Sequence, residues 1–248
     1  MVISNASEID EDCSDISDWD DLDKGTGVSE QVTNPLGGGL TTFKFDSNSS
    51  AANNDYPKRQ IDVGSIEGMG NTIVVSMKLY CDAIGTRANN DDFQIIIYRS
   101  DWAISVLFSS NGLHIYDGAS FNEIGTNLVV QDTWQEWTFV IDLSDGVANA
   151  VVDTYLDNDL KSEGDDCSYT GSFTDGVIYL RLLGYTTNDR IAYLDWLKVG
   201  DGFVGTNLQI NIGDVWKACP LAKINIGDTW KAVEGMQINI GDTWKTIF

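Results

Sequence analysis

The sequence predicts an all-β protein: an antiparallel β-sandwich followed by a small module of β-hairpins. Two observations predict the sandwich. Apolar and polar residues alternate with a period of two in many short runs, as in strands with one buried face, and Gly-, Asn- and Ser-rich segments separate these runs. A third observation predicts the hairpin module, because a short strand–turn–strand motif recurs between residues 210 and 245.

The clearest alternation lies at the centre of the chain, between residues 134 and 160. Trp137 and Phe139 begin a series of large apolar residues at every second position, which predicts one buried face. Residues 144–146 interrupt the run, and a second strand follows. Asp157 and Asn158 then form a predicted two-residue turn, since both residue types tolerate a positive φ. The centre of the chain is therefore predicted to be an antiparallel hairpin.

The same criteria predict about ten to twelve strands in all and no helix, which favours two packed antiparallel sheets. The further strands are predicted at Leu40 to Asp46, Arg59 to Val63, Thr72 to Tyr80, Phe93 to Tyr98, Trp102 to Phe108, Gly112 to Asp117, Val177 to Tyr185 and Ile191 to Val199. They place the sandwich within residues 25–202.

Three motifs resemble parts of a laminin-G-like, concanavalin A-like jelly roll. They are the Trp-x-x-Trp-x-Phe strand at 134–139, the Tyr-Leu-Asp-Asn-x-Leu run at 155–160 and the closing strand at 191–199. The resemblance covers roughly residues 10 to 200. Because the motifs are patterns of strands and turns, they imply the fold rather than an activity.

Alternation also sorts residues between the buried face of each strand and the opposite face, which a jelly roll of this kind would present to a sugar. In the strand from 177 to 185, Ile178 and Leu180 are predicted to be buried, with Tyr179 and Arg181 opposite them. Ala103, Ser105 and Leu107 are predicted to lie outside in the same way. Aromatic rings stack on sugar faces, and Arg and His bind hydroxyls or carboxylates. The candidate glycan contacts are Tyr98, His114, Tyr116, Tyr179, Arg181 and Tyr185.

Residues 1–24 form an acidic lead-in, with nine carboxylates between residues 8 and 23. We expect a solvated segment whose Ile16 and Trp19 dock on the sandwich. An alternative is a structural Ca²⁺ site, because this cation prefers several oxygen ligands. Its candidate ligands are Asp12, Asp15, Asp18 or Asp20, and Asp195 on the last strand. No other cofactor is expected.

Composition excludes some function classes. The net charge of −23 opposes binding to nucleic acid and to anionic membranes. No run approaches the roughly 18 apolar residues of a membrane span, and the first residues show no secretory leader. The four cysteines are scattered and predict free or buried thiols, with long-range disulfides as the alternative.

Residues 203–248 contain three copies of a 14-residue repeat of the type INIGDxWK. Each copy predicts a minimal hairpin, which cannot bury its apolar face alone. We therefore expect Trp216, Trp230 and Trp244 to pack in an assembly interface; an exposed Trp ladder that binds sugars is the alternative. The repeats resemble those that end various tailed-phage virion proteins.

Together these features predict a non-enzymatic phage virion protein, either a capsid decoration or a tail-associated adhesin, located on the particle surface. Its expected partners are other virion proteins and a cell-surface glycan, and we expect a homo-oligomer, with a trimer favoured. One alternative is an alginate-lyase-like polysaccharide lyase, in which Gln94, His114, Arg181 and a tyrosine would act on a uronate; that family's Gln-x-His strand is absent. A stand-alone carbohydrate-binding module is the other alternative.

Overall fold

The computed structural model describes residues 9–36, 41–48, 56–66, 69–86, 92–183 and 190–201, and the strands between 208 and 246. For residues 9–11, and from 201 onward, it describes the backbone alone. The chain forms two compact units, and the first ends at Asp201, beside the predicted boundary at residue 202.

The described part of the first unit consists of β-strands and short connections, with two single-turn 3-10 helices at Ile16–Asp18 and Val147–Asn149. The strands are β1 (Ile9–Glu11), β2 (Asp20–Asp21), β3 (Val28–Thr33), β4 (Thr41–Asp46), β5 (Lys58–Asp62), β6 (Thr72–Ala83), β7 (Phe93–Tyr98), β8 (Ala103–Ser109), β9 (Gly112–Tyr116), β10 (Phe121–Thr126), β11 (Trp134–Asp142), β12 (Val151–Leu156), β13 (Asp159–Asp166), β14 (Val177–Leu182) and β15 (Ile191–Asp201).

These strands form two antiparallel sheets. The eight-stranded sheet has the order β13-β12-β11-β6-β15-β4-β3, and β1 also pairs with β15. The seven-stranded sheet has the order β10-β9-β8-β7-β14-β5-β2. Many neighbours are far apart in sequence, such as β5 and β14, so the sheets form only when distant parts of the chain meet. The arrangement is the predicted β-sandwich.

One apolar core fills the space between the two sheets, and every second residue of the central strands contributes to it. Trp137, Phe139 and Ile141 are completely buried, as the alternation predicts. Phe108 from the seven-stranded sheet meets Trp137 from the other sheet edge to face, with ring centroids 5.4 Å apart. Such contacts between the layers exclude water from both inner faces.

The predicted central hairpin is confirmed. β11 pairs with β12 from Trp137 opposite Leu156 to Asp142 opposite Val151. Asp157 and Asn158 both have positive φ, 52° and 69°, as a two-residue turn between twisted strands requires. β13 follows this turn and forms an edge of the eight-stranded sheet, with acidic side chains exposed along it.

Two expectations about the strands differ from the structure. Ala103, Ser105 and Leu107 are buried rather than exposed, because the outer side of β8 is itself covered. The backbone N–H of Ala103 donates to the carbonyl of Tyr169 in a loop across this side, and Ser105 lies under Gln94. The alternation also missed β3, β10 and β13, whose residues are mostly polar or exposed on both sides and leave no apolar stripe.

The acidic N-terminal segment is partly built into the sandwich, instead of being only a solvated lead-in. β1 pairs with β15, and β2 pairs with β5. Trp19 is 2% exposed and meets Phe43 edge to face at 6.1 Å, and Ile16 packs against the core, so the predicted docking of both residues is confirmed.

Arg59 ties this segment to both sheets. Its Nε donates to Ser29 Oγ at 2.6 Å, and its Nη atoms donate to the carbonyls of Trp19 and Ser29 at 3.3 and 2.7 Å. One Nη also pairs with Asp21 at 3.3 Å. Asp23 adds a second link, because its carboxylate accepts the N–H groups of Ser29 on β3 and Lys58 on β5. The edges of the two sheets are thereby joined.

The second unit contains three two-stranded sheets, one for each copy of the repeat. Ile210, Ile224 and Ile238 lie opposite the lysine of their own copy, so the three pairs share one register. The side chains of Trp216, Trp230 and Trp244 lie outside the described residues, and their packing stays a prediction. The strands are β16 (Leu208–Ile212), β17 (Val215–Cys219), β18 (Lys223–Ile226), β19 (Thr229–Ala232), β20 (Gln237–Ile240) and β21 (Thr243–Thr246).

Two properties of the described residues bear on the sequence expectations. Cys13, Cys81 and Cys167 are buried, Cys81 and Cys167 are free thiols, and burial raises the pKa of the Cys81 thiol. No helix within the described ranges is long and apolar enough to cross a bilayer.

Gly176 offers a sharp test of the packing beside β14. Its φ is +80°, and an added Cβ would lie 2.2 Å from the carbonyl oxygen of Gly64. Gly146 is a matched control, since its φ is +86° but its Cβ would meet nothing within 4 Å. With ψ 156°, Gly146 lies in a region of backbone conformation that is nearly restricted to glycine, so we expect Gly146→Ala to lower the free energy of unfolding by about 1–3 kcal/mol. Gly176→Ala is expected to lower it by about 1–3 kcal/mol more, because of the close contact. Urea denaturation measures both, and equal losses would contradict the close contact.

The docking of the N-terminal segment is tested at Trp19. Trp19→Ala removes a buried ring from the core and is expected to lower the free energy of unfolding by about 3–5 kcal/mol. Leu22→Ala, at a side chain that is 37% exposed in the same segment, is expected to change it by less than about 0.5 kcal/mol. Chemical denaturation, monitored by circular dichroism, distinguishes the two variants. Similar small effects would mean that the segment is only loosely attached.

Candidate functional site

The candidate site lies on the outer face of the seven-stranded sheet, the face turned away from the core. Arg181 on β14 lies opposite Lys58 on β5 and Gln94 on β7. Tyr179, two residues earlier on β14, lies on the same face because side chains in a strand alternate. The predicted orientation of β14 is confirmed, since Ile178 is completely buried while Tyr179 and Arg181 are half-buried.

Six half-buried aromatic rings form a continuous row, which we call the aromatic belt. Each ring is in contact with the next, at centroid distances of 5.5, 4.9, 5.1, 4.8 and 4.8 Å. Three of the contacts are edge to face, one is stacked and one is tilted, and these geometries orient each ring against its neighbours. In order, the rings are Tyr179, Tyr98, Phe173, Tyr169, Tyr116 and Phe121.

Two rings of the belt belong to the loop that precedes β14. Trp102, completely buried, donates its indole Nε1–H to the carbonyl of Cys167 at 2.7 Å and fixes the start of this loop. The N–H of Phe173 donates to Ser100 at 3.0 Å, and that of Gly176 donates to Tyr98 at 3.0 Å. The loop is therefore held by backbone bonds to the β7–β8 turn, which position the rings of Tyr169 and Phe173.

The far end of the belt rests on a well-ordered turn. Tyr116 donates its hydroxyl to the carbonyl of Gly118 at 2.9 Å. The carboxylate of Asp117 accepts hydrogen bonds from the N–H groups of Ala119 and Ser120, both at 2.7 Å, and from the side chain of Asn122 at 2.8 Å. The bonds from Ser120 and Ala119 lower the pKa of Asp117 to about 2. The turn keeps Tyr116 beside Phe121 at neutral pH.

Three basic side chains lie near the opposite end of the belt, and we call Lys24, Lys58 and Arg181 the cationic cluster. Lys58 Nζ lies 3.8 Å from the ring centre of Tyr179, and Lys24 Nζ lies 5.2 Å from that of Tyr56. Arg181 Cζ lies 6.0 Å from the same Tyr56 ring. Burial, and then the charges of Arg181 and Lys24, lower the pKa of Lys58.

The guanidinium of Arg181 is held in place by two buried side chains. Its Nε donates to Gln94 Oε1, and Gln94 Nε2 in turn donates to Ser105 Oγ at 2.6 Å. Gln94 is 3% exposed and Ser105 2%, so the two form a buried support across β7 and β8. The side chain of Arg181 therefore has little freedom to leave this position.

His114 lies on the outer face, as its position in β9 predicts, but it is only 6% exposed. Its Nε2 lies 3.2 Å from the hydroxyl of Ser109, which also contacts the carbonyl oxygen of Gly112. Leu107, buried on β8, occupies the register position between Gln94 and His114. The expected surface exposure of His114 is therefore wrong.

Of the candidate glycan contacts, Tyr98, Tyr116 and Tyr179 belong to the belt, and Arg181 lies beside it. Tyr185 lies outside the described residues. Four residues of the site are not predicted by alternation: Tyr169 and Phe173, which lie in a loop, and Lys24 and Lys58. Lys24 joins the site because its backbone bridges Tyr56, a pairing between distant segments that no local pattern reveals.

Three of the candidate calcium ligands have partners within the protein. Asp12 and Asp15 accept hydrogen bonds from the N–H groups of Ser14 and Ser17, and Asp195 pairs with Lys78 at 2.8 Å. Within the part of the chain that the structure describes, no group of three or more His, Cys, Asp or Glu residues could hold a metal ion.

No protein-family model matches the sequence, and a comparison with curated proteins found no match. Solved structures do resemble it. The cellulose-induced protein Cip1 aligns with a TM-score of 0.55 and 12% identity, over 78% of this chain and 97% of that one. An endo-β-1,4-glucuronan lyase from the fungus Trichoderma reesei aligns with a TM-score of 0.53 and 14% identity, over 82% and 97% of the two chains.

The binding domain of botulinum neurotoxin DC, solved in complex with rat synaptotagmin II, aligns with a TM-score of 0.53 and 12% identity. The alignment covers 97% of this chain and 73% of that one. Similar structures thus include both an enzyme and a binding domain, and at these identities they share a fold rather than an activity. The chain has the predicted concanavalin A-like jelly-roll fold.

Proposed function

We propose that this protein is a non-enzymatic glycan-binding protein, and that the aromatic belt is its binding surface. The continuity of the belt is the observation that supports the proposal. Six neighbouring rings give a saccharide chain several consecutive places to stack its C–H faces, which is the way aromatic side chains contact sugars. The rings are also positioned by each other and by backbone bonds, so little conformational freedom is lost on binding.

The polar groups beside the belt suit a saccharide as well. Tyrosine hydroxyls and the cationic cluster can bond sugar hydroxyls, while the rings contact the apolar parts. Some proteins of like fold are described as carbohydrate-active, among them the fungal glucuronan lyase. The likeness gives no activity to this chain, but it is compatible with a saccharide on this sheet.

The position of His114 supports binding without catalysis. A lyase of the expected kind would need Arg181, Gln94 and His114 around one sugar ring. β7 and β9 are separated by β8, which places the backbones of Gln94 and His114 about 10 Å apart at the usual strand spacing. The His114 ring is moreover buried and bonded to Ser109.

We propose further that the protein is part of a phage virion, as a capsid decoration or a tail-associated adhesin. This rests on the resemblance of the C-terminal repeat to those of tailed-phage virion proteins. The three hairpins have one register, which suits a repeated contact within a homo-oligomer. Other virion proteins and a surface glycan would then be its partners.

Binding at the belt is tested by removing single rings. Tyr179→Ala and Phe173→Ala each take away one stacking position, so we expect each to weaken retention on a glycan array by about tenfold, equivalent to about 1.4 kcal/mol. Tyr193→Ala is the matched control. Tyr193 is also half-buried and packs edge to face on another tyrosine, Tyr80 at 5.8 Å, but its strand β15 belongs to the eight-stranded sheet.

Normal array binding by both belt variants would contradict the placement of the site, as would an equal loss in Tyr193→Ala. Product carrying an unsaturated uronate, detected by ultraviolet absorbance after incubation with alginate or glucuronan, would contradict the non-enzymatic assignment.

Assembly through the repeat is tested by truncation. A protein that ends after residue 205 keeps the core of the first unit and loses all three hairpins. We expect light scattering to show a homo-oligomer for the intact chain, with a trimer favoured, and a monomer for the truncated one. An unchanged number of subunits after truncation would show that the hairpins are not the assembly element.

A further inference from the structure

The cationic cluster differs from the other basic side chains in how its charges are balanced. The protein has 38 acidic and 15 basic residues, so carboxylates are abundant. Most other basic side chains of the described residues have a carboxylate within 4 Å. These ion pairs are Lys44 with Asp46 and Glu30, Arg59 with Asp21, Lys78 with Asp195, Arg99 with Asp101 and Lys161 with Asp159.

Among the described residues, Lys24, Lys58 and Arg181 have no carboxylate at that distance; their contacts are with tyrosine rings and with Gln94. Two acidic residues of the N-terminal segment that lie beside β5 are engaged elsewhere. Asp21 pairs with Arg59, and Asp23 accepts the backbone N–H groups of Ser29 and Lys58. The described residues therefore provide no close carboxylate to balance the positive charge of the cluster, although the protein is strongly acidic.

Such an arrangement costs free energy in the unbound protein. Like charges at short range repel, and the partial burial of Lys58 weakens its hydration. The cost is not relieved by movement of Arg181, because Gln94 and Ser105 hold its side chain. An anion placed over the cluster would remove the repulsion and would form charge-assisted hydrogen bonds with both Lys58 and Arg181.

We propose that the glycan bound at the belt is acidic, and that the carboxylate or sulfate of one of its sugars binds the cationic cluster. This inference rests on the proposed function and names its ligand class. Lys58 and Arg181 face each other across β5 and β14 and would hold the acidic group between Tyr56 and Tyr179. Neighbouring sugars of the same chain would then lie along Tyr98 and the other rings of the belt.

Two pairs of polymers with matched backbones test the proposal on the full-length protein. Polygalacturonate is compared with its methyl ester, and dextran sulfate with dextran, by affinity electrophoresis. We expect retention by an acidic polymer at least about tenfold above that by its neutral partner. The first pair reports a carboxylate and the second a sulfate, so the pair that responds identifies the acidic group. General electrostatics would give the opposite result, since a protein of net charge −23 is repelled by polyanions.

Single substitutions test whether the acidic polymer binds at the cationic cluster. Lys58→Gln and Arg181→Gln are each expected to weaken retention by the acidic polymer about tenfold, because each removes a charge-assisted contact. Lys58→Arg is expected to keep most of it. Lys161→Gln makes the same change of charge on β13, at a lysine that pairs with Asp159, and is expected to leave retention unchanged.

The outcomes separate this inference from the proposed function. Equal retention by acidic and neutral partners, unaffected by Lys58→Gln, would overturn the acidic ligand and leave glycan binding at the belt intact. Equal losses of retention in Lys58→Gln and Lys161→Gln would show that the acidic group does not bind at the cationic cluster. If the protein bound none of the four polymers and no member of an array of neutral, carboxylated and sulfated glycans, both would be overturned.

Discussion

The buried guanidinium of Arg59 is the constraint on which this end of the molecule depends. A cation that is 8% exposed must have acceptors, and here they come from two separate segments: Trp19 and Asp21 in the N-terminal segment, and Ser29 on β3. Those segments belong to different sheets, so the bonds close the edge of the sandwich. Removing one of these acceptors would leave part of a buried charge unsatisfied, which is among the costlier changes in a protein.

The same strand relates this constraint to the candidate site. Lys58 and Arg59 are adjacent, and alternation sends their side chains to opposite faces of β5. Arg59 finds carbonyls, a hydroxyl and a carboxylate on the inner side, while Lys58 meets the ring of Tyr179 and the charge of Arg181 on the outer side. The hydrogen bonds of Arg59 thus fix the backbone of β5, which also carries Lys58 of the cationic cluster. The inner side of β5 therefore contributes to stability, and its outer side contributes to the candidate binding site.

Local sequence patterns were sufficient to predict much of the fold, but they predicted little of the candidate site. Trp137 and Phe139 identify a strand because burial of one face imposes a period of two, and Asp157-Asn158 identifies a turn because both residues accept a positive φ. His114 could not be judged in this way. Its face was predicted, but its burial depends on Ser109 and on neighbouring strands. Phe173 and Lys24 enter the site through a loop and through a pairing with Tyr56, and no alternation marks either.

Three of the four terminal strands of the two sheets carry acidic side chains that discourage further strand addition. β13 carries exposed acidic side chains along its length, β10 carries Glu123, and the short β2 consists of Asp20 and Asp21. An exposed edge is otherwise a template for intermolecular pairing, and charges along it oppose the approach of a second, equally acidic edge. Close approach of two such molecules in concentrated solution is therefore unfavourable at neutral pH. Because dissolved salt screens exposed charges, high ionic strength would weaken this protection at the sheet edges without touching the core between the sheets.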